Sequence, residues 1–121
     1  MASCTTFLRV PDIPKTIQWY ESIGFRCIAT NLEIGCELDW ALIDWDGARF
    51  MLYPEGRNEY GATKDAGLYF DVPSIDEIIP VIKMKAELIE INEETFYGKR
   101  EVVFKDINGF QLTFGSLPTK E

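Results

Sequence analysis

Few side chains in this sequence could do acid–base or metal chemistry, and they are scattered. The 121 residues include no histidine, so no serine or cysteine has the imidazole base that a nucleophile would need. Asp44, Asp71 and Glu101 form one candidate set, an all-oxygen site suited to magnesium or calcium. Asp44 also has a simpler reading, because strand pairing would set Arg49 opposite it as an ion pair. Glu93-Glu94 has the chemistry of a paired acid and base, but an acidic turn on a solvated edge is the reading preferred. Cys4, Cys27 and Cys36 form no CxxC, and parity turns Cys4 toward a helix as a buried apolar thiol. Gly35, Gly56 and Gly61 do not form a phosphate-cradling loop. The aromatic side chains are better placed. Trp40, Tyr53, Tyr69 and Phe104 could stack on planar rings of a ligand while nearby acid holds its cationic groups. They could also pack on one another or fill a dimer interface.

Composition narrows the classes. With 46% hydrophobic residues the chain can bury a core as one domain without staples. It carries 20 acidic against 12 basic residues, a net charge of -8. That balance disfavours nucleic acid, whose phosphates are bound by Lys and Arg. It favours cationic ligands, or simply keeps the protein soluble. No charged-then-apolar leader precedes the first strand, and no apolar run approaches ~18 residues, so neither export nor a membrane is expected. An odd number of unpaired-looking cysteines fits a reduced, cytoplasmic location.

An internal repeat organises the chain. Val10-Pro11-Asp12-Ile13 recurs as Val72-Pro73-Ser74-Ile75, a shift of 62 residues. The same shift carries Ile17 onto Ile79, Tyr20 onto Ile82 and Asp46-Gly47 onto Asn108-Gly109. In the first copy Thr5–Val10 alternates as a strand, and Asp12 caps a helix that Gly24 ends. Strands near Arg26–Asn31, Glu37–Trp45 and Ala48–Tyr53 follow, the last two joined by a two-residue turn at Asp46-Gly47. The second copy gives a strand at Gly67–Val72 and a capping box at Ser74–Glu77. Pro80 should kink or shorten the helix that follows. Strands near Glu87–Asn92, Arg100–Lys105 and Gln111–Phe114 complete it. The expected fold is α+β. Two tandem β-α-β-β-β modules, about 1–54 and 65–116 with a linker at 55–64, should form a curved mixed sheet with helices on its outer face.

Strand parity then selects the face away from each helix. In the first module it holds Thr5, Phe7, Arg9, Trp40, Leu42, Asp44, Arg49, Met51 and Tyr53. Carrying the two-residue turn to the second module adds Gly67, Tyr69, Asp71, Val102, Phe104, Gln111 and Thr113. From these, Phe7, Trp40, Leu42, Asp44, Arg49, Met51, Tyr53, Tyr69, Phe104 and Thr113 are the candidate ligand-binding residues.

The chain resembles the vicinal oxygen chelate superfamily, which includes glyoxalase I, extradiol dioxygenases, and fosfomycin and bleomycin resistance proteins. The resemblance rests on Leu8-Arg9-Val10-Pro11-Asp12-Ile13, on Trp19-Tyr20-Glu21-Ser22-Ile23-Gly24-Phe25, and on the Trp40–Tyr53 hairpin. In the second half it rests on Gly67-Leu68-Tyr69-Phe70-Asp71-Val72 and on Tyr97-Gly98-Lys99-Arg100 followed by Asp106-Ile107-Asn108-Gly109. It implies that metal ligands, commonly His and Glu, would fall at Thr5, Met51, Gly67 and Thr113. Those residues make no catalytic ligand set. No catalytic residue, metal or cofactor is therefore assigned. The bleomycin resistance type is nearest, and it implies a homodimer that sequesters a bulky cationic ligand in its clefts. A glyoxalase-like lyase or isomerase, or a dioxygenase-type enzyme, with an atypical metal site is the alternative. A dimeric scaffold is a third reading.

Overall fold

The computed structural model describes residues 3–32, 37–55 and 67–118. The linker at 55–64 beyond Glu55, and Gly35, Cys36, Gly56 and Gly61, lie outside them. The chain divides into two compact units, Met1–Thr63 and Lys64–Glu121. The first runs β1 (Thr6–Val10), α1 (Ile13–Ser22), β2 (Arg26–Thr30), β3 (Ala41–Trp45) and β4 (Ala48–Pro54). The second runs β5 (Gly67–Asp71), α2 (Ile79–Lys85), β6 (Glu87–Asn92), β7 (Arg100–Lys105) and β8 (Gln111–Ser116). Each makes a four-stranded mixed sheet of the same order, β1-β4-β3-β2 and β5-β8-β7-β6. The α+β class and the tandem β-α-β-β-β order are as expected.

Local chemistry accounts for the elements. The Asp12 carboxylate accepts the Lys15 N–H at 3.0 Å and caps α1, with Pro14 in the first turn. Tyr20 on the buried side of α1 meets the rings of Phe25 and Phe50 edge-on at 5.1 and 5.2 Å. Beneath it Leu8, Val10, Ala41, Ile43, Phe50 and Leu52 are buried. The second helix is shorter, as Pro80 required, and starts at Ile79. The Ser74 capping box does not open it. Ser74 Oγ instead accepts the Asp76 N–H within the preceding turn, and Ile75, Ile78 and Ile82 supply the buried side. Cys4 precedes β1 and is exposed, so it is not a core thiol.

The two hairpins differ by one residue. In the first, Trp45 pairs with Ala48 around Asp46-Gly47, both at positive φ (47° and 91°). In the second, Lys105 pairs with Gln111, and the Asp106 N–H donates to the Phe110 carbonyl at 2.8 Å. Ile107, Asn108 and Gly109 are left as a three-residue loop, with Gly109 at φ 92°. The Asp106 carboxylate accepts N–H groups from Asn108 and Phe110 at 2.8 and 2.9 Å, which fixes that loop. The repeat therefore keeps its 62-residue shift from Met51 to Thr113 but drops to 61 from Leu42 to Val103.

That residue corrects one expectation. Val103, not Phe104, pairs with Thr113. Phe104 pairs with Leu112 and stacks on Phe114 at 5.8 Å, fully buried on the helix side, and Val102 is buried there too. A one-residue change in register moves every side chain of a strand to the other face. Phe104 thus belongs to the core of its unit and not to the face with Thr113. Phe104→Ala should lower unfolding free energy by about 3–5 kcal/mol in denaturant titration, as for other buried Phe truncations. A loss below about 1 kcal/mol would return Phe104 to the far face.

Candidate functional site

The face of the first unit away from α1 is set by the parallel β1–β4 pairing. Phe7 pairs with Met51 and Arg9 with Tyr53, while Leu42 and Asp44 face Met51 and Arg49 across the hairpin. Phe7 and Tyr53 meet edge-on at 5.2 Å. The Arg9 guanidinium lies 5.5 Å from the Phe7 ring and 6.0 Å from that of Tyr53. The anticipated Asp44–Arg49 ion pair forms at 3.1 Å, so Asp44 is committed to an arginine. The structure brings Phe7, Leu42, Asp44, Arg49, Met51 and Tyr53 onto one face. Trp40 stands just before β3, half-buried, with its N–H donating to Asn31 Oδ1 at 3.2 Å.

On the second unit the corresponding face carries Tyr69 and Thr113, which pair directly, and Asp71, which pairs with Gly115. Gly115 occupies the place that Tyr53 holds in the first unit. A Cβ there would lie 2.0 Å from the Tyr69 hydroxyl. The missing side chain lets Tyr69 reach across β8 to β7, where its hydroxyl donates to Glu101 Oε2 at 2.7 Å. Tyr97 donates to the same oxygen. A tight turn aims it: the Lys99 N–H donates to Thr95 Oγ1 at 2.9 Å, and Gly98 supplies the positive φ of 82°. Lys99 pairs with Asp71 and holds its ammonium 5.4 Å from the Tyr69 ring centre. Arg100 ties the same segment down through Glu93 at 2.6 Å and Asp76 at 2.9 Å.

Glu101 and Tyr97 are the site residues that sequence reasoning missed. Glu101 entered only as a metal candidate, because the carried-over turn sent its strand the wrong way round. Asp106 ahead of Asn108-Gly109 was the available signal for a three-residue loop. The other acid–base candidates disperse: Asp44, Asp71 and Glu93 are each paired with a basic residue. Among the described residues no group of three or more His, Cys, Asp or Glu is placed to hold a metal. The donor chemistry at Thr5, Met51, Gly67 and Thr113 does not fit one either, since hydroxyl, thioether and a bare glycine are poor partners for a catalytic metal.

Comparison with known proteins bears on the fold. The chain matches no family model and no curated protein. Among solved structures, TioX from Micromonospora sp. ML1 is 17% identical with a TM-score of 0.77, over 99% of both chains. The fosfomycin resistance protein FosX from Listeria monocytogenes is 17% identical, TM-score 0.71, over 96% of this chain and 93% of that one. A bleomycin-binding protein complexed with bleomycin is 14% identical, TM-score 0.73, over 96% and 98%. The fold is that of the vicinal oxygen chelate proteins. Proteins with this fold include a lactoylglutathione lyase from Agrobacterium tumefaciens as well as the bleomycin-binding protein, so the fold leaves the role open.

The phenols offer a test. Desolvation first, and then the hydrogen bond to Glu101, raise the Tyr69 phenol above its ordinary value. The Glu101 hydrogen bond raises that of Tyr97. Such groups stabilise the fold fully below the unfolded pKa of ~10 and lose that contribution as pH rises through the folded value. Tyr69 and Tyr97 should therefore form tyrosinate later than an ordinary phenol when absorbance is followed against pH in the parent and in Tyr69→Phe and Tyr97→Phe. Glu101→Gln should bring both down, and Gly115→Ala should bring down Tyr69 more than Tyr97. If Tyr69 and Tyr97 titrated near ~10 in the parent, the shared carboxylate would be wrong.

Proposed function

We propose that this chain is a metal-free small-molecule binding protein of the drug-resistance type, sequestering a cationic or aromatic ligand. One observation carries the reading. At the two places on the far faces where the superfamily's metal ligands would fall in β4 and β8, the chain has Met51 and Thr113. Met51 pairs with Phe7, and Thr113 pairs with Tyr69. Phe7 and Tyr69 are each nearly half exposed (49% and 46%). Exposed aromatics beside a thioether and a hydroxyl favour stacking and desolvation over metal chemistry. The bleomycin-binding protein with the same fold supports the reading by analogy of fold alone.

A homodimer and a cytoplasmic location belong to the same proposal. Exposed aromatics of this kind suit an interface, and no described helix is long and apolar enough to cross a membrane.

Purified without chelator, the protein should hold well under one equivalent of transition metal by elemental analysis. Bleomycin, as a bulky cationic probe, should bind saturably in calorimetry. Phe7→Ala or Tyr53→Ala should weaken that binding by about 1–3 kcal/mol with the fold retained, the range for one desolvated aromatic contact. Sedimentation at micromolar protein should show twice the 13.9 kDa chain mass. One metal per chain, together with turnover of a 2-oxoaldehyde–thiol adduct, would establish the enzyme instead.

A further inference from the structure

Glu101 is a buried carboxylate that no cation of the described residues pairs with. It is 8% exposed, and a buried charge is costly unless it is paired and hydrogen-bonded. The two phenols satisfy Oε2 but are neutral. Among the described residues no lysine or arginine forms an ion pair with Glu101. The nearby ammonium, that of Lys99, is bonded to Asp71. Oε1 takes no hydrogen bond from the described residues. Since no buried side-chain nitrogen or oxygen among them lacks a partner, Oε1 must reach the surface.

The surrounding groups point to the chemistry that fits there. Tyr69 and Tyr97 spend their hydroxyl hydrogens on Glu101, so each phenol oxygen has only acceptor capacity left. With Oε1 and Asp71 they make a set weighted heavily to acceptors, beside an aromatic face. That face already attracts a cation, the Lys99 ammonium at 5.4 Å. Asp71 and Glu101 outnumber Lys99 in charge, leaving the cluster net negative. The Lys99–Asp71 pair is a weak competitor, because Asp71 is 70% exposed and solvent screens such pairs.

We propose that Glu101, Tyr69 and Tyr97 form a subsite for an amidinium, guanidinium or ammonium group of a small-molecule ligand, with Lys99 as the internal cation that competes for it. The proposal deepens the ligand-binding reading by giving the cationic group of the ligand a place. One donor would reach Oε1 and another a phenol oxygen, as charge-assisted hydrogen bonds. Gly115 is the positioning residue, since any side chain there would displace Tyr69.

Benzamidine, planar and cationic, and benzamide, its neutral counterpart, separate charge from ring. Titrated into the full chain and followed by amide NMR, benzamidine should shift residues around Tyr69, Tyr97, Lys99 and Glu101 saturably. Benzamide should bind at least about tenfold more weakly, the scale of one lost charged hydrogen bond. Glu101→Gln should weaken benzamidine by a similar factor and Tyr97→Phe by a few-fold. Lys99→Met should tighten it. The subsite is overturned if benzamidine binds no better than benzamide, if Glu101→Gln leaves it unchanged, or if Lys99→Met weakens it. Should Glu101→Gln fail to fold, Tyr97→Phe and Lys99→Met decide. Bleomycin binding indifferent to all three variants would keep the sequestration reading and remove this subsite. Benzamidine binding of the expected kind without bleomycin binding would do the reverse.

Discussion

The parallel pairing of each unit's first strand with its last fixes every side chain on the two far faces. Thr6 lies beside Phe50, and Leu68 beside Leu112. With a side-chain period of two, that register decides which residues meet the helix and which do not. The pairing is held from the buried side. Phe50, Leu52 and Ile43 each gain about 1.5–3 kcal/mol from burial. A slip of one residue would turn all three outward, a loss comparable with the ~5–15 kcal/mol that holds a whole domain together. The far face is therefore determined by the packing it does not take part in. Substitutions on it can alter chemistry with little effect on the register.

The two units use that freedom differently, and two small changes account for most of the divergence. An extra loop residue between β7 and β8 brings Glu101 and Val103 to the far face and sends Phe104 inward. Gly115, in the place of Tyr53, clears the path by which Tyr69 reaches Glu101. In the first unit Phe7 stops against Tyr53 at 5.2 Å. Its twin Tyr69 passes over a glycine and ends on a carboxylate one strand further along. Backbone topology is unchanged, down to a bulge between Cys27 and Ala29 that recurs between Leu88 and Glu90.

Legibility in the sequence followed the same division. The modules, the capping by Asp12, the shortening by Pro80 and the Asp44–Arg49 pair all depend on neighbours in sequence or on a two-residue turn whose geometry is fixed by its residue types. The face carrying Phe7, Met51 and Tyr53 was readable for that reason. Phe104 was not, because a hairpin's register depends on loop length, and Asn108-Gly109 suits a two-residue turn as well as a three-residue one. Asp106 settles the matter by folding its carboxylate over the loop, a side-chain-to-backbone interaction that pattern alone ranks poorly. Glu101 shared the fate of its strand. Tyr97 was hidden for another reason: it sits in a loop, where no periodicity says which way a side chain turns.

Charge distribution separates the units most clearly. On the first far face the charges cancel at close range, Asp44 against Arg49, while Arg9 lies over the aromatic pair. A ligand's cation would find little uncompensated acid there. On the second, Lys99 answers Asp71, while Arg100, on the helix side of β7, answers Glu93 and Asp76. Among the described residues Glu101 is left with neutral donors alone. The overall charge of -8 is spread over the surface and screened by salt within about 10 Å. A buried carboxylate held by two phenol hydroxyls is screened far less. On the ligand-binding proposal, Glu101 is thus the described carboxylate best placed to select a cation.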